Sequence, residues 1–282
     1  MTVRGQTRRF RVFAPPDSTA TARPLVLALH GGLGKPRHMM GLTRFDALAA
    51  REGFVVVYPE GLRRSWNDGR REGRRVQRRL QVDDVAFIDA LLDHLASRYP
   101  IDPARVYACG MSNGAMMSDR IGADLSHRVA AIGLVAGQAA AATAAHFRPA
   151  CPVSVVMFNG TADPIVPFAG GGVGSGRLGT VLSAEQTATR WAARDGCQPT
   201  PTITQLPDAS PPDGTHVELR VWSGGELGTE VAWFVVHGGG HAWPGGAQYA
   251  RSARIGIASR AVDASALIWR FFADHPRAPG GR

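Results

Sequence analysis

Residues 106–120 read VYACGMSNGAMMSDR, and this stretch decides the fold. Its first four residues are apolar and typical of a buried strand, whereas residues 115–120 favour a helix. Between them lies Gly110-Met111-Ser112-Asn113-Gly114, a G-x-S-x-G pattern. A serine in such a strand-to-helix turn has strained backbone, and the flanking glycines let neighbouring backbones pass close by. The stretch therefore predicts that Ser112 is a nucleophile at the end of a strand.

Short apolar runs alternate with amphipathic stretches on both sides of this turn, a pattern typical of a parallel sheet covered by helices. The predicted strands are Arg9 to Phe13, Leu25 to His30, Phe54 to Tyr58, Val106 to Cys109, Val129 to Val135, Val153 to Phe158 and Val231 to Val236. The predicted helices are Asp83 to Arg98, capped by Asp83 or Asp84, then Ser183 to Asp195 and Ala258 to Ala273. We therefore expect an α/β fold with one mostly parallel sheet flanked by helices. No repeat or dividing linker is evident, so residues 1–282 are interpreted as one domain.

A serine hydroxyl at neutral pH needs a base, and the base needs an orienting carboxylate. In this architecture they follow in the chain order Ser, Asp or Glu, His. Asp163 is the candidate acid, because it follows the predicted strand Val153 to Phe158. It would lie at the carboxyl edge of the sheet, where open α/β sheets place their sites. The alternative is that Asp163 only caps a turn before Pro164.

Two histidines compete for the role of the base. His241 follows the last predicted strand, with three glycines before it and Pro244 shortly after it. That surrounding sequence indicates a shaped loop that presents the imidazole. His237 is the rival and lies at the strand end itself.

An oxyanion hole needs backbone N–H groups aimed at the attacked carbonyl oxygen. One donor is expected from Asn113, the residue after the nucleophile, and the other from the glycine-rich turn after Leu29. We assign Gly32 in that turn, with Leu33 as the alternative. The turn lacks both the P-loop and the dinucleotide-binding pattern, which disfavours a nucleotide ligand.

Composition bounds the remaining possibilities. The chain is 44% hydrophobic and 20% charged, so it can bury a sizeable core and is not a disordered chain. No apolar run reaches the roughly 18 residues that span a bilayer, and the first thirty residues do not resemble a signal peptide. The three cysteines lack zinc spacing, which disfavours a structural zinc site. A serine nucleophile with a histidine base requires no metal or organic cofactor, so we expect none. The sequence leaves open whether Cys151 and Cys197 form a disulfide in an oxidising compartment.

The formal net charge is +9, and Lys35 is the only lysine. Eight arginines fall within Arg63 to Arg79, and a second loop, Gly170 to Gly179, is rich in glycine. Both segments are interpreted as long loops that act as lids or are simply disordered. For the arginine cluster, the alternative is a solvated loop without a role in the site. A basic lid would attract anionic substrates.

The chain resembles the polyhydroxybutyrate depolymerase and feruloyl esterase type of α/β-hydrolase, a group of bacterial secreted esterases that includes acetyl xylan esterases. The resemblance covers nearly the whole chain and rests on motifs in the family's order. These motifs are Leu29 to Gly32, Tyr58 to Gly61, Ser65 to Gly69, Val82 to Val85, Gly110 to Gly114, Gly160 to Asp163 and Gly240 to Pro244.

The resemblance implies an α/β-hydrolase fold and a serine esterase that cleaves carboxylic esters through an acyl-enzyme. Its triad would be Ser112, Asp163 and His241, and Trp66 and Trp243 would form aromatic walls of the substrate pocket. Feruloyl or acetyl esters of sugars, or short hydroxyalkanoate oligomers, are the expected substrates. Because no polymer-binding domain follows the last predicted helix, soluble esters are favoured over crystalline polymer. An extracellular or periplasmic location is implied, and a cytoplasmic one stays open.

Two rival functions remain at this point. A serine peptidase would use the same triad on amides. A non-catalytic polyanion-binding protein would explain the net charge, but the sequence contains no recognisable nucleic-acid motif, so we expect no nucleic-acid partner. We also expect no membrane partner. The sequence does not predict an oligomeric state.

Overall fold

The protein is described by a computed structural model that covers residues 1–16, 21–70 and 82–278. In these ranges, nine strands form one sheet. In chain order they are β1 (Phe10–Phe13), β2 (Arg23–Leu29), β3 (Val55–Pro59), β4 (Ile101–Met111), β5 (Ala131–Val135), β6 (Ser154–Gly160), β7 (Thr202–Gln205), β8 (His216–Trp222) and β9 (Val231–His237).

The strand order across the sheet is β7-β8-β9-β6-β5-β4-β2-β3-β1. The six inner strands, from β9 to β3, pair in parallel. The antiparallel pairs lie at the two edges, where β1 joins β3 and where β7 and β8 join β9. The predicted fold, a mostly parallel sheet flanked by helices, is confirmed. The inner strands are nearly continuous apolar runs because both faces of the sheet are covered.

Helices cover both faces of this sheet. They are α1 (Pro36–Thr43), α2 (Phe45–Glu52), α3 (Asp84–Ala96), α4 (Asn113–Asp124), α5 (Ala184–Arg194), α6 (Ser252–Ile255) and α7 (Ala264–Asp274). On one face α3, α4 and α5 bury Leu91, Ile121 and Trp191. On the other face α2 and α7 bury Phe45 and Phe272. The sheet therefore has two hydrophobic layers, and its carboxyl edge is open for a site.

Several elements differ from those that the sequence predicts. The edge strands β7 and β8 and the helices α1 and α2 are additions. The last helix begins at Ala264 instead of Ala258, because the Asp263 side chain accepts the N–H groups of Ser265 and Ala266 and so caps its N-terminus. The capping of α3 by Asp83 is confirmed, since its carboxylate accepts the Ala86 N–H.

The glycine-rich segment 170–179 is part of an ordered hairpin. Gly171–Gly172 pairs with Thr180–Val181, and Val173 is buried against Met116 of α4. The segment, predicted as a lid, therefore packs on the nucleophile helix through Val173.

Only part of the arginine-rich segment 63–79 belongs to the structure, since residues 71–79 lie outside the described residues. Within the part described, Arg70 is buried and pairs with Asp68. Arg70 therefore does not add to a solvated basic surface.

All three cysteines are free thiols, so Cys151 and Cys197 do not form a disulfide in this structure. Among the described residues, no helix is both long enough and apolar enough to cross a membrane.

Candidate active site

Ser112 lies between the end of β4 and the start of α4, with φ 56° and ψ −119°. Its N–H donates to the Val135 carbonyl at 2.8 Å, which fixes the turn to the neighbouring strand. A Cβ on Gly114 would lie 2.2 Å from the Leu29 oxygen, and one on Gly110 would lie 2.5 Å from the Gly114 backbone. The two glycines are therefore required by the close approach of three backbones.

Asp163 and His241 meet at the carboxyl edge of the sheet. Asp163 follows β6, and its Oδ2 lies 2.8 Å from Nδ1 of His241. The other carboxylate oxygen accepts the N–H groups of Ile165 and Val166, each at 2.8 Å. Both side chains are about 95% or more buried. Because a carboxylate only accepts, Nδ1 of His241 carries the proton, and Nε2 has a free lone pair.

The loop that carries His241 is packed without space for side chains at its glycines. A Cβ on Gly240 would lie 2.1 Å from the Ile255 oxygen. Tyr249 is half-exposed as a whole, but its hydroxyl lies in a partly buried position and donates to the His241 carbonyl at 2.7 Å. Burial raises the pKa of Tyr249 to about 12, so this hydroxyl stays a donor. No sequence motif indicated this role for Tyr249.

His237, the rival base, lies elsewhere. Its ring stacks on His216 of the neighbouring strand β8, with 4.5 Å between the ring centroids. Asp163 makes its histidine contact with His241. The geometry therefore supports His241, the base that the surrounding sequence favoured, over His237.

The glycine-rich turn after β2 lies beside Ser112, since a Cβ on Gly31 would be 3.5 Å from the Ser112 Cβ. The Leu33 N–H donates to the Arg64 carbonyl at 2.8 Å, and the Gly34 N–H donates to Gly31 at 2.9 Å. Among the described residues, the Gly32 N–H has no acceptor. Because the Leu33 amide is engaged, Gly32 is the better placed of the two candidate donors.

His30 holds this turn from inside the protein. The Gly61 N–H donates to its Nε2 at 3.0 Å, so the ring proton is on Nδ1, which donates to the Gly31 carbonyl at 2.7 Å. Burial lowers the pKa of His30 and keeps the ring neutral. His30 is therefore a positioning residue for the turn.

Asn113 contributes to the site through its backbone and through its side chain. It is the first residue of α4, and N–H groups of a first helical turn point out of the helix end. Its side-chain oxygen accepts the Trp66 N–H at 2.8 Å and the Ser65 hydroxyl at 3.0 Å. Its Nδ2 donates to the buried carboxylate of Asp68, which also binds Arg70. Residues 65–70 are thus fixed to the N-terminus of the nucleophile helix.

Ser112 and His241 line one open cleft of about 540 Å³, which we call the Ser112 cleft. Its other walls are mainly apolar and come from α1 and the flanking loops; they include Leu33, Met39, Leu42, Met111 and Tyr249. A volume of this size accommodates a small organic ligand.

The predicted contact of Trp66 and Trp243 with substrate is corrected by their positions in the structure. Both indoles are completely buried and do not reach the Ser112 cleft. The Trp66 ring N–H donates to the His30 carbonyl at 2.8 Å, and that of Trp243 donates to Ser265 at 3.0 Å. The apolar rings with satisfied N–H groups are stable in the core, where they support the loops next to the site.

Comparison with known sequences finds a family model and relatives that are all described as esterases. The family described as Esterase PHB depolymerase matches residues 9–169. The protein named "Putative esterase NocK" from Nocardia uniformis subsp. tsuyamanensis is 32% identical over 269 residues, which are 92% of this chain and 77% of that protein. Feruloyl esterase B from Piromyces equi is 28% identical over 229 residues, 78% of this chain but 40% of the relative's length.

Comparison with solved structures supports the fold. An acetyl xylan esterase from Aspergillus awamori superposes with a TM-score of 0.61 at 15% identity, covering 94% of this chain and 93% of that one. A structure titled "Crystal Structure of sOPH Native" gives 0.60 at 16% identity, with 99% of this chain and 86% of that one covered. At these identities the similarity concerns the fold alone.

Proposed function

Because the chain belongs to the Esterase PHB depolymerase family of carboxylic ester hydrolases, we propose that it cleaves esters in two steps through Ser112, His241 and Asp163. The observation that carries this proposal is the contact of Asp163 with Nδ1 of His241, in a cleft that Ser112 also lines. It supports a mechanism with a covalent acyl-enzyme.

In the first step, Nε2 of His241 accepts the proton of the Ser112 hydroxyl as the oxygen attacks the ester carbonyl. Negative charge develops on the carbonyl oxygen, and the N–H groups of Gly32 and Asn113 are the proposed donors to it. The carboxylate of Asp163 stabilises the imidazolium that forms. The imidazolium then gives its proton to the leaving alcohol oxygen, and the acyl group stays on Ser112.

In the second step, water takes the place of the alcohol. His241 removes a proton from the water as the water oxygen attacks the acyl carbon. The bond between that carbon and Oγ of Ser112 then breaks, and the imidazolium returns its proton to Oγ, which regenerates the Ser112 hydroxyl. The product acid leaves the cleft. Every proton transfer passes through Nε2 of His241, so the tautomer fixed by Asp163 is needed twice per turnover.

The proposed substrate class is supported by the apolar lining of the cleft and by the feruloyl and acetyl xylan esterases that the chain resembles. The apolar wall of the cleft near Leu33, Leu42 and Met111 suits a short acyl or aryl group. We therefore propose acetyl or feruloyl esters of sugars, or short hydroxyalkanoate oligomers. A peptidase is the alternative within the same chemistry.

The first experiment measures turnover of p-nitrophenyl acetate and butyrate by the wild type and by Ser112→Ala. The matched control is Ser97→Ala, which removes an exposed hydroxyl at the end of α3. We expect the control to match the wild type and Ser112→Ala to lose at least about 1,000-fold in kcat. A serine-directed phosphonate should label Ser112, as read by mass spectrometry of the peptide. Full activity in Ser112→Ala, or label on another residue, would refute the assignment.

A second experiment ranks substrates by kcat/KM. Methyl ferulate, acetylated xylo-oligosaccharides, hydroxybutyrate oligomers and a peptide anilide are compared at equal enzyme concentration. We expect at least one ester to exceed the anilide by several orders of magnitude. Preferred cleavage of the anilide would instead support the peptidase.

The proposal includes an extracellular or periplasmic location, which the family resemblance implies. Fractionation of the source cells, followed by activity and immunoblot assays, tests it. Recovery of the protein in the cytoplasmic fraction alone would refute this part.

A further inference from the structure

A second cleft, of about 550 Å³, lies between the first residues of β1 and the start of α1. We call it the cationic cleft, and the cations that define it are Arg9, Arg11, Lys35 and Arg37. Arg9 and Arg11 are two residues apart on an extended chain, so their side chains leave the same face. Lys35 and Arg37 flank Pro36 at the N-terminus of α1, the end of a helix that carries partial positive charge.

Within the described ranges, none of these four cations forms an ion pair with a carboxylate, whereas other basic residues such as Arg8, Arg128 and Arg190 do. Arg8 also lines the cleft, but its guanidinium is buried and pairs with Asp84. Glu60 is the acidic residue of the lining, so the cleft keeps an excess of positive charge. Uncompensated cations in a concave surface focus a positive potential.

The cationic cleft adjoins the Ser112 cleft through one short segment. Gly34 and His38 line the Ser112 cleft, whereas Lys35, Pro36 and Arg37 between them line the cationic cleft. The positive charge reaches across this segment. Together with partial burial, the charges of Arg37, Arg64 and Lys35 lower the pKa of His38.

We propose that the cationic cleft binds the carboxylate-bearing part of an extended substrate, an oligosaccharide that carries carboxylates, while one of its ester groups occupies the Ser112 cleft. This inference rests on the proposed function. It assigns the substrate class by charge and places the recognition on described residues of β1 and α1.

The size and layout of the cleft favour a chain over a small ion. Its volume is in the range of sites for ligands with several rings, far above that of one inorganic anion. Its cations come from two separate elements, so successive carboxylates along a chain can each meet one. A sugar chain also supplies the hydroxyl groups that carry esters. Neutral hydroxyalkanoate oligomers would gain nothing from these cations along their length.

The test uses the catalytically inactive Ser112→Ala variant and short oligogalacturonates, with neutral xylo-oligosaccharides of equal length for comparison. Binding is measured by titration calorimetry at low and high salt. The double substitutions Arg9→Gln/Arg11→Gln and Lys35→Gln/Arg37→Gln are each introduced into this background. Arg148→Gln/Arg270→Gln is the matched control, because it removes the same charge from exposed positions outside both clefts.

We expect oligogalacturonate to bind, and its affinity to fall with added salt. Each exposed ion pair strengthens binding by up to about fivefold, so each cleft double variant should bind roughly three- to twentyfold more weakly. The control should bind as before. No binding at low salt, equal binding of the neutral chain, or equal losses in the control would each overturn the proposal.

Kinetics separate this proposal from the proposed function. The wild type is given acetylated oligogalacturonate and acetylated xylo-oligosaccharide, and the ratio of their kcat/KM values is expected to fall in the cleft double variants. An unchanged ratio would overturn the cleft proposal while leaving esterase activity established. Absence of turnover with p-nitrophenyl acetate would refute the proposed function, and the binding titration would still report on the cleft.

Discussion

Replacement of Asp163 by asparagine tests the site most sharply, because the structure fixes how the new amide must lie. Oδ1 of Asp163 accepts two backbone N–H groups, from Ile165 and Val166. An asparagine keeps both bonds only with its oxygen at that position. Its NH₂ group then faces Nδ1 of His241, which must become an acceptor. The ring proton moves to Nε2, and His241 cannot accept the proton of Ser112.

The expected loss is large and specific to catalysis. An inverted histidine tautomer in a serine triad lowers kcat by about 10⁴-fold, or about 5 kcal/mol of transition-state stabilisation. All three hydrogen bonds at this side chain are kept, the one to His241 with donor and acceptor exchanged, so the melting temperature should change little.

The assay is kcat for p-nitrophenyl butyrate, together with thermal unfolding and the rate of labelling by a serine-directed phosphonate. The labelling rate should fall with kcat, since both need a proton acceptor at Nε2. The control is Asp124→Asn, at a half-exposed position at the end of α4. If Asp163→Asn kept more than about a tenth of kcat with an unchanged melting temperature, the assigned role of Asp163 would be wrong.

Three further predictions concern stability. Burial raises the pKa of Asp195 to about 7 from 3.8. The unfolded chain therefore loses this proton at lower pH than the folded protein, and the wild-type free energy of unfolding should fall by about 4 kcal/mol as pH rises from about 4 to 8. In denaturant titrations, Asp195→Asn should abolish that fall. Gly114→Ala forces a Cβ to within 2.2 Å of the Leu29 oxygen and should cost at least about 1–3 kcal/mol and most of kcat, as read by melting and turnover. Arg8→Met strands the buried Asp84 carboxylate and should cost about 3–5 kcal/mol of unfolding free energy in denaturant titrations.

Each of these has a matched comparison. Asp213 is the comparison for Asp195. Hydrogen bonds from Thr215 and Arg260 outweigh burial and lower the pKa of Asp213, so its contribution to the free energy of unfolding should rise with pH. Gly41→Ala meets no atom within 4 Å and should raise the melting temperature slightly, as expected within a helix. Adding Asp84→Asn to Arg8→Met should recover much of the loss. If the stability difference between Asp195→Asn and the wild type does not change with pH, the expectation for Asp195 is wrong. Full activity of Gly114→Ala would contradict the steric argument. Equal stability of Arg8→Met and the double variant with Asp84→Asn would contradict the argument for the ion pair.

The sequence predicted the parts of the fold that are set by burial on both faces. Runs such as Leu25 to Leu29 and Val155 to Phe158 are apolar throughout, and they lie in inner parallel strands. The edge strand β7 was missed, since Thr202–Gln205 is exposed along its whole length and carries no burial signal. The short helix α1 contains Gly41, and its buried positions hold a proline, a methionine and a threonine, so its apolar periodicity is weak.

At the site, chain order and turn chemistry indicated Ser112, Asp163 and His241. The orientation of the side chains and their hydrogen-bond partners came only from the structure. Nothing local in the sequence says that the Trp66 indole turns into the core. The choice between Gly32 and Leu33 depends on an acceptor at Arg64, some thirty residues away. Long-range hydrogen bonds of this kind leave no pattern in neighbouring residues.

The left-handed backbone at Ser112 has a consequence for how this protein changes over generations. A residue other than glycine held in such a conformation costs of order 1–3 kcal/mol, and the surrounding sheet must supply that amount. Substitution by glycine would recover part of it while abolishing the hydroxyl. Selection for stability alone thus favours loss of the reactive residue, and only continued demand for its chemistry keeps Ser112 in place.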